Sequence, residues 1–163
     1  MLILETRVEA WDSEADCALS ARRLASSPCL SQAFIELEGD LGAGKTTFVR
    51  HLLRALGVTG TIKSPTYALM ESYDLPGLGP VSHFDFYRFN DPQEWDDAGF
   101  RDVFAEPGLK LVEWPDQARE RLPCPDLRLT LEALDHAAAQ RRQVRWEACS
   151  ARGVDLLPPA GTP

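Results

Sequence analysis

The chain has no apolar run long enough to span a bilayer, no closely paired cysteines and a single asparagine. Its start, Met1-Leu2-Ile3-Leu4-Glu5, lacks both the basic region and the length of a secretory signal. The four cysteines, Cys17, Cys29, Cys124 and Cys149, form no C-x-x-C pair, which argues against zinc and disulfide frameworks and leads us to expect cytoplasmic thiols. The lone asparagine, Asn90, precedes Asp91-Pro92, so the Asn-Lys-x-Asp guanine reader of a small GTPase is missing, although Asp96-Asp97-Ala98-Gly99 fits D-x-x-G. Positive charge is short as well. Seventeen Lys and Arg stand against 25 Asp and Glu, a net charge of −8, with an isoelectric point near 4.9. Gripping nucleic acid depends on neutralising phosphates with basic side chains. Such a chain is not expected to hold DNA or RNA by itself, and a place in an RNA pathway would run through protein partners. No repeat or linker divides the 163 residues. They suit one domain, 1–150, with enough apolar content for a real core, followed by a flexible proline-rich tail, 151–163.

What is present is concentrated in one stretch. Gly39-Asp40-Leu41-Gly42-Ala43-Gly44-Lys45-Thr46-Thr47 satisfies G-x-x-x-x-G-K-[ST] without a mismatch. Ala33 to Leu37 before it reads as a short apolar strand. Phe48, Val49, Leu52, Leu53 and Leu56 after it recur at helical spacing, and Gly57 stands where a helix stop is expected. The residue types follow from the chemistry of a phosphate. Glycines let successive N–H groups point into one concavity, and the following helix start adds partial positive charge. Lys45 can reach terminal phosphates, and the Thr46 hydroxyl can ligate Mg²⁺. A chance match of this pattern arises in roughly one chain of this length in a few hundred. Gly39, Asp40, Leu41, Gly42, Ala43, Gly44, Lys45, Thr46 and Thr47 are therefore the candidate nucleotide-binding residues.

The rest of the chain supplies candidates around this loop. Leu2 to Val8 reads as a first strand. Asp12 or Ser13 can cap a helix to about Ser26, with Asp16 completing a box-like pattern from Ser13. Ser64-Pro65-Thr66 lies in a polar loop that either closes over a γ-phosphate or is a proline-fixed connection, and its poverty in apolar anchors suggests mobility. Ala68 to Tyr73 and Val81 to Tyr87 read as a hairpin. Alternation in the second strand puts His83, Asp85 and Tyr87 on one face and Phe84 and Phe86 on the other. That polar row is either a site or a solvent face. Asp91 to Phe104 reads as one or two short acidic helices around Gly99. Leu109 to Glu113 is a brief buried strand ending in an acid, the minimal form of the Mg²⁺-positioning site of P-loop proteins. Trp114, next to it, is either core or ligand contact. Gln117 to Leu122 can form a helix. Leu127, Leu129 and Leu131 are answered after a turn by Val144, Trp146 and Ala148 in a closing antiparallel pair.

Taken together, the phosphate loop, Ser64-Pro65-Thr66-Tyr67, His83-Phe84-Asp85-Phe86-Tyr87-Arg88 and Glu113-Trp114-Pro115 resemble, in order and spacing, the bacterial TsaE family. The resemblance covers roughly Glu14 to Ala148 and departs at Trp95 to Gly99, where the family usually carries a Leu-Gly pair. It implies an α/β P-loop NTPase fold, a three-layer sandwich with a mixed, partly antiparallel sheet. It further implies a Mg²⁺-dependent ATPase that works with TsaB and TsaD in threonylcarbamoyl transfer to the tRNA adenosine next to the anticodon, touching tRNA only through that complex. Carried onto this chain, the family's metal ligands are Thr46 and Glu113, its first switch gives Ser64 and Thr66, and Lys45, Asp85, Arg88 and Glu113 become the catalytic candidates. Trp114 joins the nucleotide site, and ATP or ADP with Mg²⁺ are the implied ligands. A small-molecule or nucleoside kinase, and a nucleotide sensor without turnover, are the competing readings.

Overall fold

The computed structural model describes residues 1–134 and 141–161. The turn expected between the last two strands and the end of the tail lie outside the described residues. The elements run β1 (Glu5–Trp11), α1 (Glu14–Ala25), β2 (Phe34–Glu38), α2 (Lys45–Ala55), β3 (Met70–Leu75), β4 (Gly79–Asp85), α3 (Pro92–Asp97), α4 (Phe100–Ala105), β5 (Leu109–Glu113), β6 (Leu127–Ala133), β7 (Arg142–Ala148) and α5 (Ala151–Asp155). The seven strands form one sheet in the order β1-β7-β6-β2-β5-β4-β3. The four inner strands β6, β2, β5 and β4 are parallel, and the pairs β1–β7, β7–β6 and β4–β3 are antiparallel. This is the mixed, three-layer α/β architecture that the family resemblance implies.

The layers follow from alternation. On β2, Ile35 and Leu37 join the side chains of α1 and α2 in one core, with Phe48, Val49, Leu52 and Leu53 fully buried as their helical spacing requires. Phe34 faces the opposite way and meets Phe84, Phe86, Trp95 and Phe100 under α3 and α4. Trp95, at the departure from the family pattern, stacks on Phe104 with ring centroids 5.5 Å apart. Glu36, on that same second face, is fully buried and held by Arg119 and Arg128. Gly57 ends α2 with φ +107°, and Gly99 separates α3 from α4 with φ +71°, both where the sequence places a break.

The hairpin strands are Met70–Leu75 and Gly79–Asp85 rather than Ala68 to Tyr73 and Val81 to Tyr87, and four further expectations shift. The first strand is Glu5–Trp11 rather than Leu2 to Val8, because pairing with β7 runs from Glu5↔Ala148 to Trp11↔Arg142. Its buried residues are Glu9 and Trp11, while Leu2, Ile3 and Leu4 stay exposed. Glu9 tolerates burial because its carboxylate accepts from Trp11 Nε1, Ser20, Arg23 and Trp146 Nε1. Asp16 closes its capping bond on the Asp12 N–H at 2.9 Å, one residue earlier than expected. In place of a helix from Gln117 to Leu122 there is one 3₁₀ turn, Pro115–Ala118. Both Arg121 and Leu122 then bond back to the Ala118 carbonyl, which closes the chain before Pro123. Finally, the start of the expected tail is ordered. Ser150 caps α5 through the Gly153 N–H and donates to Asp126, and Leu156 enters the core. The four cysteines are free thiols. Among the described residues no helix is long and apolar enough to cross a membrane.

The docking of α5 generates a prediction. A Cβ added at Gly153 would stand 1.8 Å from the Asp126 carbonyl oxygen, so α5 must move to admit it. Loss of the Leu156 burial alone is worth about 2 kcal/mol, and each kcal/mol shifts the melt of a chain this size by about 2–4 °C. Gly153→Ala should therefore melt roughly 4–8 °C below wild type. An unchanged melting temperature would return residues 151–157 to a loose tail.

Candidate nucleotide site

The parallel register brings three strand ends level. Leu37 of β2 is paired with Glu113 of β5, and Glu113 with Asp85 of β4. Beyond Glu38 the chain turns through the glycine loop into α2, so loop, acid and acid share the carboxyl edge of the sheet, where open α/β sheets bind ligands. Gly39 has φ +147°, and a Cβ there would fall 2.5 Å from the Leu131 carbonyl oxygen. Gly44, at φ +106°, occupies the N-cap of α2 in the left-handed region, which glycine enters without steric cost.

Lys45 is buried and its ammonium is turned onto the loop, donating to the carbonyls of Gly39 and Asp40. It also lies 4.0 Å from the centroid of the Trp114 ring. Burial lowers its pKa from the usual lysine range, opposed by the charges of Glu113, Asp85 and Asp40. The Thr46 hydroxyl donates to Glu113 Oε1 at 2.7 Å. The other oxygen of that carboxylate, Oε2, is 2.6 Å from His83 Nε2. Asp85 accepts from the Tyr87 N–H at 2.9 Å and from Thr66 Oγ1 at 3.2 Å, while Ser64 and Thr66 share a 2.8 Å hydroxyl bond. Burial raises the Asp85 pKa above the ordinary carboxylate range, and the Glu113 charge pushes the same way.

These groups line a cleft of about 340 Å³, into which Leu41, Gly42, Gly44, Lys45, Thr46, Thr47, Thr66, Asp85, Arg88, Glu113 and Trp114 all open. Gly39 and Asp40 contribute the carbonyls behind it. Ala43 lines a neighbouring recess of about 150 Å³, which shares Gly44, Thr47 and Arg142 with the cleft and is walled by Trp11, Ser13, Glu14 and Cys17. Ser64 stands at the exposed margin, bonded to Thr66. Arg88 does not point at the acids. Its guanidinium lies 4.4 Å from the Tyr67 ring centroid and donates to the Tyr67 hydroxyl at 3.3 Å, and Tyr67 itself is 81 % exposed. The loop carrying Ser64 and Thr66 is better anchored than its polarity suggests, since Ile62 and Leu69 at its ends are buried.

Three residues outside the expected set belong to the site. His83 is fully buried against Glu113, which rules out a solvent-facing row. Tyr87 lines the cleft with its ring 4.9 Å from that of Trp114. His83 stands in phase with Asp85 on β4, so period-two alternation is the signal for it, whereas Tyr87 lies in the turn after β4 and is tied back by its N–H bond to Asp85. Arg142 donates to the Ala43 carbonyl at 2.8 Å and to that of Gly42 at 3.3 Å. It reaches the loop from β7, and nothing local in the sequence marks it.

A glycine loop between a parallel strand and a helix, with an acid at the end of the adjacent strand, defines the class: this is a P-loop NTPase fold. Comparison with known proteins then gives the family. The family model "Threonylcarbamoyl adenosine biosynthesis protein TsaE" matches residues 11–144. The chain is 42% identical over 103 residues to the tRNA threonylcarbamoyladenosine biosynthesis protein TsaE of Haemophilus influenzae, a match taking in 63% of this chain and 65% of that relative. It is 36% identical over 118 residues to the protein of the same name from Bacillus subtilis, covering 72% and 71% of the two chains. The crystal structure of Bacillus subtilis YdiB superposes with a TM-score of 0.74 at 25% identity, over 96% of this chain and 93% of that one. The chain belongs to the TsaE family.

Asp85 carries a pH signature. Because its folded pKa is raised, its contribution to stability is full below the unfolded value and is lost as pH rises through the folded one. At neutral pH it is a charge buried at a cost. Asn is uncharged throughout and keeps an oxygen for the Tyr87 N–H. Asp85→Asn should melt above wild type at pH 7, and the gap should close as pH falls through the elevated Asp85 pKa. A variant that melts below wild type at pH 7 would mean that the hydrogen bonds, not the charge, dominate there.

Proposed function

We propose that this protein is a Mg²⁺-dependent ATPase that supports tRNA threonylcarbamoyladenosine formation together with TsaB and TsaD, in the cytoplasm. The observation that carries this reading is the Thr46–Glu113 bond of 2.7 Å beside the glycine loop. One hydroxyl and one carboxylate suit Mg²⁺, which keeps waters and takes its remaining ligands from phosphate oxygens. Among the described residues no cluster of three or more His, Cys, Asp or Glu could hold a metal without such help. When bound there, Mg²⁺ would neutralise charge on the β- and γ-phosphates.

The chain's own residues account for the remaining steps. The loop N–H groups and the start of α2 receive the phosphates. Lys45 exchanges the carbonyls of Gly39 and Asp40 for phosphate oxygens, and its burial makes that charge count for more than it would in water. The rest of the nucleotide extends over Thr47 into the recess beside Trp11 and Glu14. Asp85 orients a water and takes its proton as the oxygen attacks the γ-phosphorus. The bond to the ADP oxygen breaks, and inorganic phosphate leaves. A raised pKa suits a carboxylate to that task. Arg88 opens into the cleft but is engaged by exposed Tyr67 through stacking and the phenol hydroxyl, so full charge stabilisation waits for a rearrangement of this pair. Docking of a TsaB–TsaD complex is the event proposed to cause it, and a net charge of −8 leaves tRNA contact to that complex.

Phosphate release from ATP, measured with and without TsaB and TsaD, tests this. The isolated chain should turn over slowly and be clearly stimulated by the complex, since an added arginine brings about 10³–10⁵-fold in other P-loop enzymes. Arg88→Ala should lower the stimulated rate far more than ATP affinity. Lys45→Ala should lose the ATP-induced rise in melting temperature, worth about 2.7 kcal/mol in wild type at 100 times Kd. Phosphate passed to a small acceptor instead of water would favour a kinase. Tight binding without turnover even with partners would favour a sensor.

A further inference from the structure

The His83–Glu113 pair asks for an explanation beyond packing. His83 is fully buried, and its Nε2 lies 2.6 Å from Glu113 Oε2. A carboxylate accepts, so Nε2 donates to Oε2 and Nδ1 is left to find a partner of its own. That Nδ1 is buried and has no hydrogen-bond partner. An unmet polar atom in a dry interior is destabilising. An apolar side chain of similar size would remove that penalty but leave Oε2 of the buried Glu113 without a donor, so the histidine serves the carboxylate rather than the packing.

What the imidazole does can be read from the division of Glu113. Oε2 is taken by His83, and only Oε1 faces Thr46. Both bonds run between fixed elements: Glu113 is the last residue of β5, His83 is on the neighbouring strand β4, and Thr46 is in the first turn of α2. The carboxylate cannot swing to offer both oxygens to one cation without breaking the bond to His83. Mg²⁺ takes a carboxylate through one oxygen in a tight octahedron, whereas Ca²⁺ favours larger coordination numbers and often a bidentate carboxylate.

We propose that His83 is a positioning residue that occupies Oε2 of Glu113, restricts this carboxylate to one-oxygen coordination, and so makes the nucleotide site prefer Mg²⁺ to Ca²⁺. The proposal rests on Glu113 being the carboxylate of the cation site. Removing such a supporting partner costs about 10–100-fold in metal affinity in known sites. Here the loss falls on one cation more than the other, which a purely structural role would not produce.

The test measures the affinity of ADP-bound protein for Mg²⁺ and for Ca²⁺ in wild type, His83→Leu and His83→Gln. Leu removes the donor, while Gln carries an N–H at nearly the same reach. His83→Leu should lose about tenfold or more in Mg²⁺ affinity, keep or gain Ca²⁺ affinity, and leave ADP affinity in EDTA unchanged. His83→Gln should hold the wild-type ratio. An unchanged Mg²⁺/Ca²⁺ ratio in a folded His83→Leu overturns the proposal while leaving Glu113 as a cation ligand. Wild type that binds ADP with no cation dependence overturns both. If the variants do not fold, the wild-type Nε2 proton decides, followed as a downfield resonance. It should persist and shift when Mg²⁺ is added to the ADP complex, and its loss on adding Mg²⁺ would overturn one-oxygen coordination.

Discussion

The site depends on one register. Parallel pairing sets Leu37, Glu113 and Asp85 side by side at the same level of β2, β5 and β4. The side-chain period of a strand is two. A slip of one residue in β5 would turn Glu113 to the aromatic face and present Val112 or Trp114 beneath the loop. Leu109 and Leu111 on one face, and Val112 against Phe84 and Phe86 on the other, penalise that slip. The apolar core therefore holds the two acids in place, although neither contributes to it.

Charge is handled differently on the two faces of the sheet. Glu36 is surrounded by Arg119 and Arg128 and is structurally satisfied. On the loop side, Glu113 and Asp85 share the neighbourhood of one ammonium that is itself partly desolvated. The first arrangement ties the 3₁₀ turn after β5 to the sheet. The second leaves each acid one fixed partner, His83 for Glu113 and the Tyr87 N–H for Asp85, and one hydroxyl, Thr46 or Thr66, that can turn toward another ligand. Such incomplete compensation is what a site for an anion and its counter-cation requires.

Most of the loop was legible because its chemistry is local: the positive φ of Gly39 and Gly44 and the breaks at Gly57 and Gly99 are properties of single residues. Alternation placed Asp85 correctly and grouped His83 and Tyr87 with it, yet could not say that α2 covers that face and buries His83. Pairing of Leu129 with Trp146 was readable from matched patterns. Sheet order was not, because insertion of β2 between β6 and β5 joins residues about 75–90 positions apart. Arg142 at the loop and the Trp146 donor to Glu9 are consequences of that order, so both were invisible. The same holds for α5, whose cap at Ser150 is recognisable only once Asp126 and the Gly153 contact are in place.

The place of β1 in the sheet has a consequence for biosynthesis. The strand leaves the ribosome well before β7, its one strand partner among the described residues, and the indole of Trp146 reaches Glu9 across 137 positions of sequence. At 5–20 residues per second, about 7–27 s separate the two during translation. For that interval Glu9 lacks one of its donors, and the apolar run Met1 to Leu4 continues into an unpaired strand, the kind of edge that recruits other chains. Nascent copies on one message would carry that edge in proximity. The N-terminal segment is thus a natural client for a holding chaperone until the last strand arrives.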